Sequence, residues 1–336
     1  MSSFLSQVFS SKVFRGSYSD EQPEINFKME GSKQEKRRLT SLVNRIAHSS
    51  EFGRSVLERA ADAGFVLSFQ LRDATVLGSC CEIKKAVMLN PAYSDDRLVS
   101  TLAHEARHAE QFSRGADSEF GKRTLKTEIM YFRAMEADAQ AAAAVTTMEM
   151  KGNGDGKPWK RLRKETSYVT DPLVHSAEFS EKPRATDALL GAAFKGWYDD
   201  AFIKEAYENS YIVSVMDNIM KENKEAENPY SQKESSKAIV YRMCRGVDGC
   251  YFKNEPDVLE NSKFLDISPT TLAKALQYAS IVKKETGKEG DRSVDLLPVR
   301  QPLPVNTSVY VGWGTCYDAT NDTVRLGMIR KVGKGR

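Results

Sequence analysis

The sequence predicts an α+β fold: a small antiparallel sheet against long helices, followed by a mainly helical second half. Three observations predict it. Short runs of β type lie close together at residues 65–71, 75–83 and 86–89, each too short for a helix and bounded by turn residues. Two long helical segments follow at about 94–113 and 124–150, the second rich in alanine and methionine, which favour helix. Beyond residue 184 the apolar residues again recur mostly at helical spacing,.

Residues 1–36 are Ser-rich and polar with no sustained period, which predicts a mobile N-terminal arm outside the core,. Helical periodicity begins with Arg37, Leu42, Val43 and Ile46 and resumes from Phe52 to Ala63, stopping at Gly64,. Arg72-Asp73 and Lys84-Lys85 are the expected turns between the three strands. Asn90-Pro91 ends the last strand, and Ser94 with Asp95 and Asp96 behind it makes a helix start, a cap followed by negative charge at the positive end of the helix dipole,. The cluster Gly152-Asn153-Gly154-Asp155-Gly156 is the clearest boundary in the chain,. A core at 37–151 is therefore expected, then a linker or lid at 152–183 holding one short helix. The region 184–336 should be mainly helical, broken near Tyr198-Asp199-Asp200, with a helix starting at Ser268-Pro269,. A β-hairpin from 305–312 and 323–329 around Asn321-Asp322 should end it,.

The 336 residues and 40% apolar content suffice for a substantial core,. With 49 basic and 46 acidic residues the formal charge is +3, which argues against nucleic-acid or anionic-membrane partners,. The basic tail of Arg330, Lys331, Lys334 and Arg336 reads as a solvated terminus. No stretch is apolar enough to cross a bilayer, and the N-terminus lacks a basic start leading into a long apolar run,. A cytoplasmic protein is expected, or one exported without a classical signal peptide. The five cysteines form neither a paired framework nor a zinc-finger spacing and read as reduced thiols,. Cys244 and Cys250 flank a turn where an oxidising compartment could join them; two unrelated thiols are the plainer reading.

The motif that carries chemistry is His104-Glu105-Ala106-Arg107-His108. Two histidines four apart on a helix project about 40° from one another, so both imidazoles can reach one ion. Glu105 falls at the edge of the same face, where it can take a proton from a metal-bound water that zinc has made acidic. Leu98, Val99, Leu102, Ala106 and Ala109 fall on one side of this helix, and Arg97, Thr101, His104, His108 and Gln111 on the other. The histidines should therefore face a cleft; two surface histidines on a solvated face are the bland alternative. A catalytic zinc needs a third protein ligand, and the following helix offers Glu136 on the stripe of Leu125, Ile129, Phe132 and Ala143. A carboxylate in an apolar stripe is costly unless paired or metal-bound. Asp138, about 200° further round, is the other acid and would rather orient a ligand histidine. An ordinary salt bridge with Arg107 or Arg133 is the competing use of either acid.

This arrangement resembles the zincin superfamily of metallopeptidases, in its glutamate-ligand branch. The stretch Val87-Met88-Leu89-Asn90-Pro91, then His104 to Gln111, then Glu136-Ala137-Asp138-Ala139, is similar to bacterial metallopeptidase domains, over about residues 64–144. It departs from the commoner pattern at Ala134, where the ligand glutamate would stand three residues before the Ala-Asp pair. The resemblance implies a zincin-like core, a zinc ion, a protein or peptide substrate, and an edge strand at 86–89 against which an extended substrate pairs. It also implies an oxyanion stabiliser, for which His175, Tyr198, Tyr207 and Tyr211 are candidates. A different class of function is a structural or interaction protein that retains the same core without catalysis.

Overall fold

The computed structural model describes residues 18, 20, 22–70, 76–118, 122–221, 231–287, 289–303, 311–312, 314–315 and 328–329. Helix α1 (Lys33–Ser49) starts at a reciprocal cap: Ser32 Oγ accepts from the Glu35 N–H, and the Glu35 carboxylate accepts from the Ser32 N–H at 2.7 Å,. Ser50 ends that helix and caps α2 (Glu51–Asp62) by accepting from the Gly53 N–H at 2.8 Å. Ahead of α1, strand β1 (Lys28–Met29) pairs with β2 (Val66–Phe69), and Ile25 and Phe27 are buried. Residues 22–36 are thus folded, correcting the expected arm over that stretch. Ile25 and Phe27 precede a strand of only two residues, too short to give a sequence period.

The sheet is mixed, not antiparallel as the hairpin-like spacing suggests. Its order is β1-β2-β4-β3-β6, where β3 is Gly78–Cys81, β4 is Ala86–Leu89 and β6 is Gly314–Thr315. β3 and β4 form the expected antiparallel hairpin, whereas β1-β2, β2-β4 and β3-β6 are parallel. β4 is therefore an interior strand, correcting its assignment as the edge. Val87 and Leu89 are wholly buried, and a strand of four apolar residues belongs where both faces are covered. The outer positions belong to β1 and β6, and β3 is paired on both sides, by β4 and β6.

Two helices dominate the core. α3 (Asp95–Ser113) and α4 (Leu125–Gly152) follow the expected bounds to within a residue or two and pack along each other. Ser94 stands at the start of α3, although its side chain makes no capping hydrogen bond. α4 is buried on every side from Leu125 to Met150 apart from Lys126, its charged residues included, so Arg133, Glu136, Asp138 and Glu149 need partners inside the protein,. The remaining helices follow it in the chain. They are α5 (Lys157–Glu165), α6 (Ser167–Val174), α7 (Asp187–Trp197), α8 (Ala201–Glu208), α9 (Ser214–Lys221), α10 (Ser236–Met243), α11 (Ser262–Leu265) and α12 (Pro269–Thr286).

The expected break at 198–200 separates α7 from α8, and Asp200 caps α8 by accepting from the Phe202 and Ile203 N–H groups. Ser268 caps α12 as predicted. Of the expected terminal hairpin, β5 (Val311–Gly312) pairs antiparallel with β7 (Met328–Ile329); the rest of it lies outside the described residues. No described helix is long and apolar enough to cross a membrane.

Candidate metal centre

The His-Glu-Ala-Arg-His motif lies in the middle of α3, and both faces of that helix are covered. Leu98, Val99, Leu102, Ala106 and Ala109 are buried as predicted, but so are Thr101, His104, His108 and Gln111. The open face expected for a cleft is instead packed along α4. Apolar stripe and histidine face are both interior because a second buried helix, not solvent, lies against the polar side.

His104 and His108 bring their Nε2 atoms within 3.0 Å of each other. Glu136 reaches them from α4, with Oε2 at 3.5 Å from His104 Nε2 and Oε1 at 3.6 Å from His108 Nε2. One ligand atom from each of the three lies within 4.8 Å of the others. Ligand atoms about 2.1 Å from a tetrahedral ion stand roughly 3.4 Å apart, so the spacing fits a cation of zinc's size. The donors also suit it, two imidazole nitrogens and a carboxylate. Among the described residues, Glu136 Oε2 makes no hydrogen bond although it is buried, as an oxygen left for a cation would be.

The electrostatics prepare neutral imidazole and charged carboxylate. Burial pulls the His104 imidazole down to about 4, against the upward pull of Glu136, so its ring keeps a lone pair at neutral pH. Burial alone would raise the Glu136 carboxyl, but the two imidazoles override it and hold the group below the usual carboxylate range.

Glu105 is fully buried beside β3. Gly78 makes that approach possible: a Cβ there would stand 2.7 Å from Thr101 Cγ2, 3.0 Å from the Met88 carbonyl oxygen and 3.2 Å from Glu105 Cγ,.

Asp138 points away from the three donors, as its position on the helix requires. Its carboxylate accepts from Arg107 Nε at 2.6 Å, Arg107 Nη2 at 2.8 Å, Gln111 Nε2 at 2.7 Å and Tyr251 Oη at 2.8 Å. The salt bridge with Arg107 thus belongs to Asp138 and not to Glu136, while Arg133 pairs with Glu208. Asp138 touches neither histidine; Gln111 stands between, with Oε1 2.8 Å from His108 Nδ1.

Of the four oxyanion candidates, two come to the centre. Tyr211 Oη donates to Glu136 Oε1 at 2.6 Å. Its ring stacks on Phe132 with centroids 4.8 Å apart and on Tyr207 at 5.5 Å. Burial and then the Glu136 charge push the Tyr207 phenol well up. Both tyrosines are carried by α8 and the π-helical turn that continues it, Asn209–Val213, a local widening often found where a helix aims side chains at a site. Tyr198 instead stacks on Phe264 with centroids 4.0 Å apart, and His175 is exposed at the end of α6. The Arg107 bridge to Asp138 was among the expected alternatives, whereas the contacts of Gln111 and Tyr251 escaped sequence reasoning. Only Gln111, three residues after His108 on its face, left a signal.

The four cysteines among the described residues are free thiols. A family model described as "Putative metallopeptidase family (DUF6782)" matches residues 21–253. No curated protein and no solved structure matches the chain. Because the matched residues span more than half its length, the chain belongs to the family that this description names.

Proposed function

We propose that this chain is a zinc-dependent peptide hydrolase with a zincin-like core, in which His104, His108 and Glu136 hold the metal and Glu105 is the general base. The convergence of three donor atoms from two helices within 4.8 Å carries this reading. When bound, zinc supplies a Lewis acid that polarises the scissile carbonyl and acidifies water. Glu105 sits one residue from a ligand histidine and takes the proton of the attacking water, then returns it to the departing amine. Tyr211 anchors Glu136, and Tyr207 beside it is placed to offer a phenol to the developing oxyanion.

The substrate is an extended peptide or protein segment. Its backbone takes the place that Gly314 and Thr315 occupy beside Ser79 and Cys80 of β3, because β4 is paired on both sides,. Gly78 at the start of that strand abuts Glu105, so a chain bound there runs past the proposed base.

The competing reading, a non-catalytic protein that retains this core, draws on burial. His104 and Glu136 are 1% exposed, and Glu105 and His108 are 0%. A Glu105→Gln variant separates the two. It should hold zinc like the parent while turnover of a cleavable peptide falls about 10²- to 10⁴-fold. Equal turnover of parent and variant would remove Glu105 from the mechanism, and zinc binding without turnover in either would favour the non-catalytic reading.

A further inference from the structure

We infer that Gln111 is a positioning residue that sets which nitrogen of His108 is bare, and that Asp138 acts on the metal centre through it. The inference rests on the metal-centre reading above and deepens it.

Gln111 carries two amide hydrogens, and two acceptors on α4 are placed for them: the Met135 carbonyl at 3.0 Å and Asp138 Oδ2 at 2.7 Å. Asp138 accepts from Gln111, from two Arg107 nitrogens and from Tyr251, so donors meet both of its oxygens. Turning the Gln111 amide over would set its oxygen against that carboxylate and the Met135 carbonyl. The amide nitrogen is therefore fixed toward α4, and Oε1 toward His108 Nδ1 at 2.8 Å. An amide oxygen can only accept. The imidazole proton must sit on Nδ1, and a neutral ring then presents its Nε2 lone pair toward His104 and Glu136.

The other tautomer would oppose two lone pairs at Nδ1. It would also put a hydrogen on the nitrogen that must bind metal. The anchor for this relay lies well along the chain. Tyr251 follows α10, and Arg107 Nη2 also donates to the Arg245 carbonyl just after that helix. The segment from α10 to Tyr251 thus braces a histidine that it does not touch.

Two readouts test this. One is the tautomer of His108 in metal-free protein, from ¹⁵N shifts of the ring. The other is zinc affinity by competition with a chelating dye. Parent protein should show the Nδ1–H form. Gln111→Leu should lose that preference and bind zinc about 10- to 100-fold more weakly.

Asp138→Asn keeps the size of that side chain and removes the carboxylate that orders the Gln111 amide. It should weaken the Nδ1–H preference of His108 and lower zinc affinity roughly 10-fold. Should Gln111→Leu fail to fold, Asp138→Asn decides alone by the same two readouts. An unchanged tautomer and affinity in Gln111→Leu would overturn the inference, as would a folded Asp138→Asn that changes neither. If the parent binds no zinc, the metal-centre reading fails instead, and the tautomer measurement still decides the role of Gln111.

Discussion

Two carboxylates on α4 separated by one alanine have different roles because two residues turn a helix by about 200°. Glu136 meets two imidazoles and a phenol, and Asp138 meets a guanidinium, an amide and a second phenol. Their substitutions should separate accordingly. Removing Asp138 strips the fully buried Arg107 of its bidentate partner, so Asp138→Ala should cost about 3–5 kcal/mol of stability, read from the denaturant midpoint. Glu136→Gln keeps the side chain's size and should leave that midpoint nearer the parent's while zinc binding collapses; a variant that retains full zinc affinity would contradict the ligand role. Gly78→Ala puts a methyl group 2.7 Å from Thr101 Cγ2 and 3.2 Å from Glu105 Cγ. It should cost about 1–3 kcal/mol and slow peptide turnover without releasing zinc, because the intrusion is on the side of Glu105.

At the scale of elements, α4 organises the molecule along its whole length. Near its end, Glu149 Oε2 accepts from Ser50 Oγ at 2.6 Å and from the Phe52 N–H at 3.0 Å, and Oε1 accepts from the Ala185 N–H at 2.7 Å. A carboxylate there satisfies donors at the positive end of α2 and ties down the entry to α7. Glu149→Ala should lower stability by about 2 kcal/mol or more, since it leaves buried donors unmet; a melt unchanged from the parent would show the contacts to be incidental.

The two long helices were legible from sequence because their length and periodicity are local properties. Strand order was not. Residues 86–89 look the same whether interior or edge, and their place is decided by parallel pairing with β2 on one side and antiparallel pairing with β3 on the other. Distance along the chain hid the relay to His108. Asp138 could be assigned a supporting role from its position, but its partner Tyr251 lies 113 residues away and Gln111 showed only as a polar residue on the histidine face.

For the whole molecule, buried charge clusters tie the second half to α4. Glu208 at the end of α8 takes Arg133 from α4, Arg300, the Ser268 N–H and the Thr271 hydroxyl. Burial alone would raise its carboxyl, but Arg133 and Arg300 hold it below the usual carboxylate range. With the folded-state value depressed, the unfolded chain takes up the proton first as pH falls. The stabilisation is therefore complete above about pH 5 and is lost as the pH drops through the folded-state value. Denaturant midpoints of metal-free protein should fall below pH 4.5, and Glu208→Gln, less stable at pH 7, should show a shallower decline. An equally steep decline in both would place the acid sensitivity elsewhere.

The central claim is that His104, His108 and Glu136 converge on one zinc ion, and anomalous scattering at the zinc edge from crystals of zinc-loaded protein tests it most directly. A single strong peak should stand in bonding contact with both Nε2 atoms and the Glu136 carboxylate and be absent in crystals of His104→Ala. A peak bound by other residues, or none in protein saturated with zinc, would contradict it.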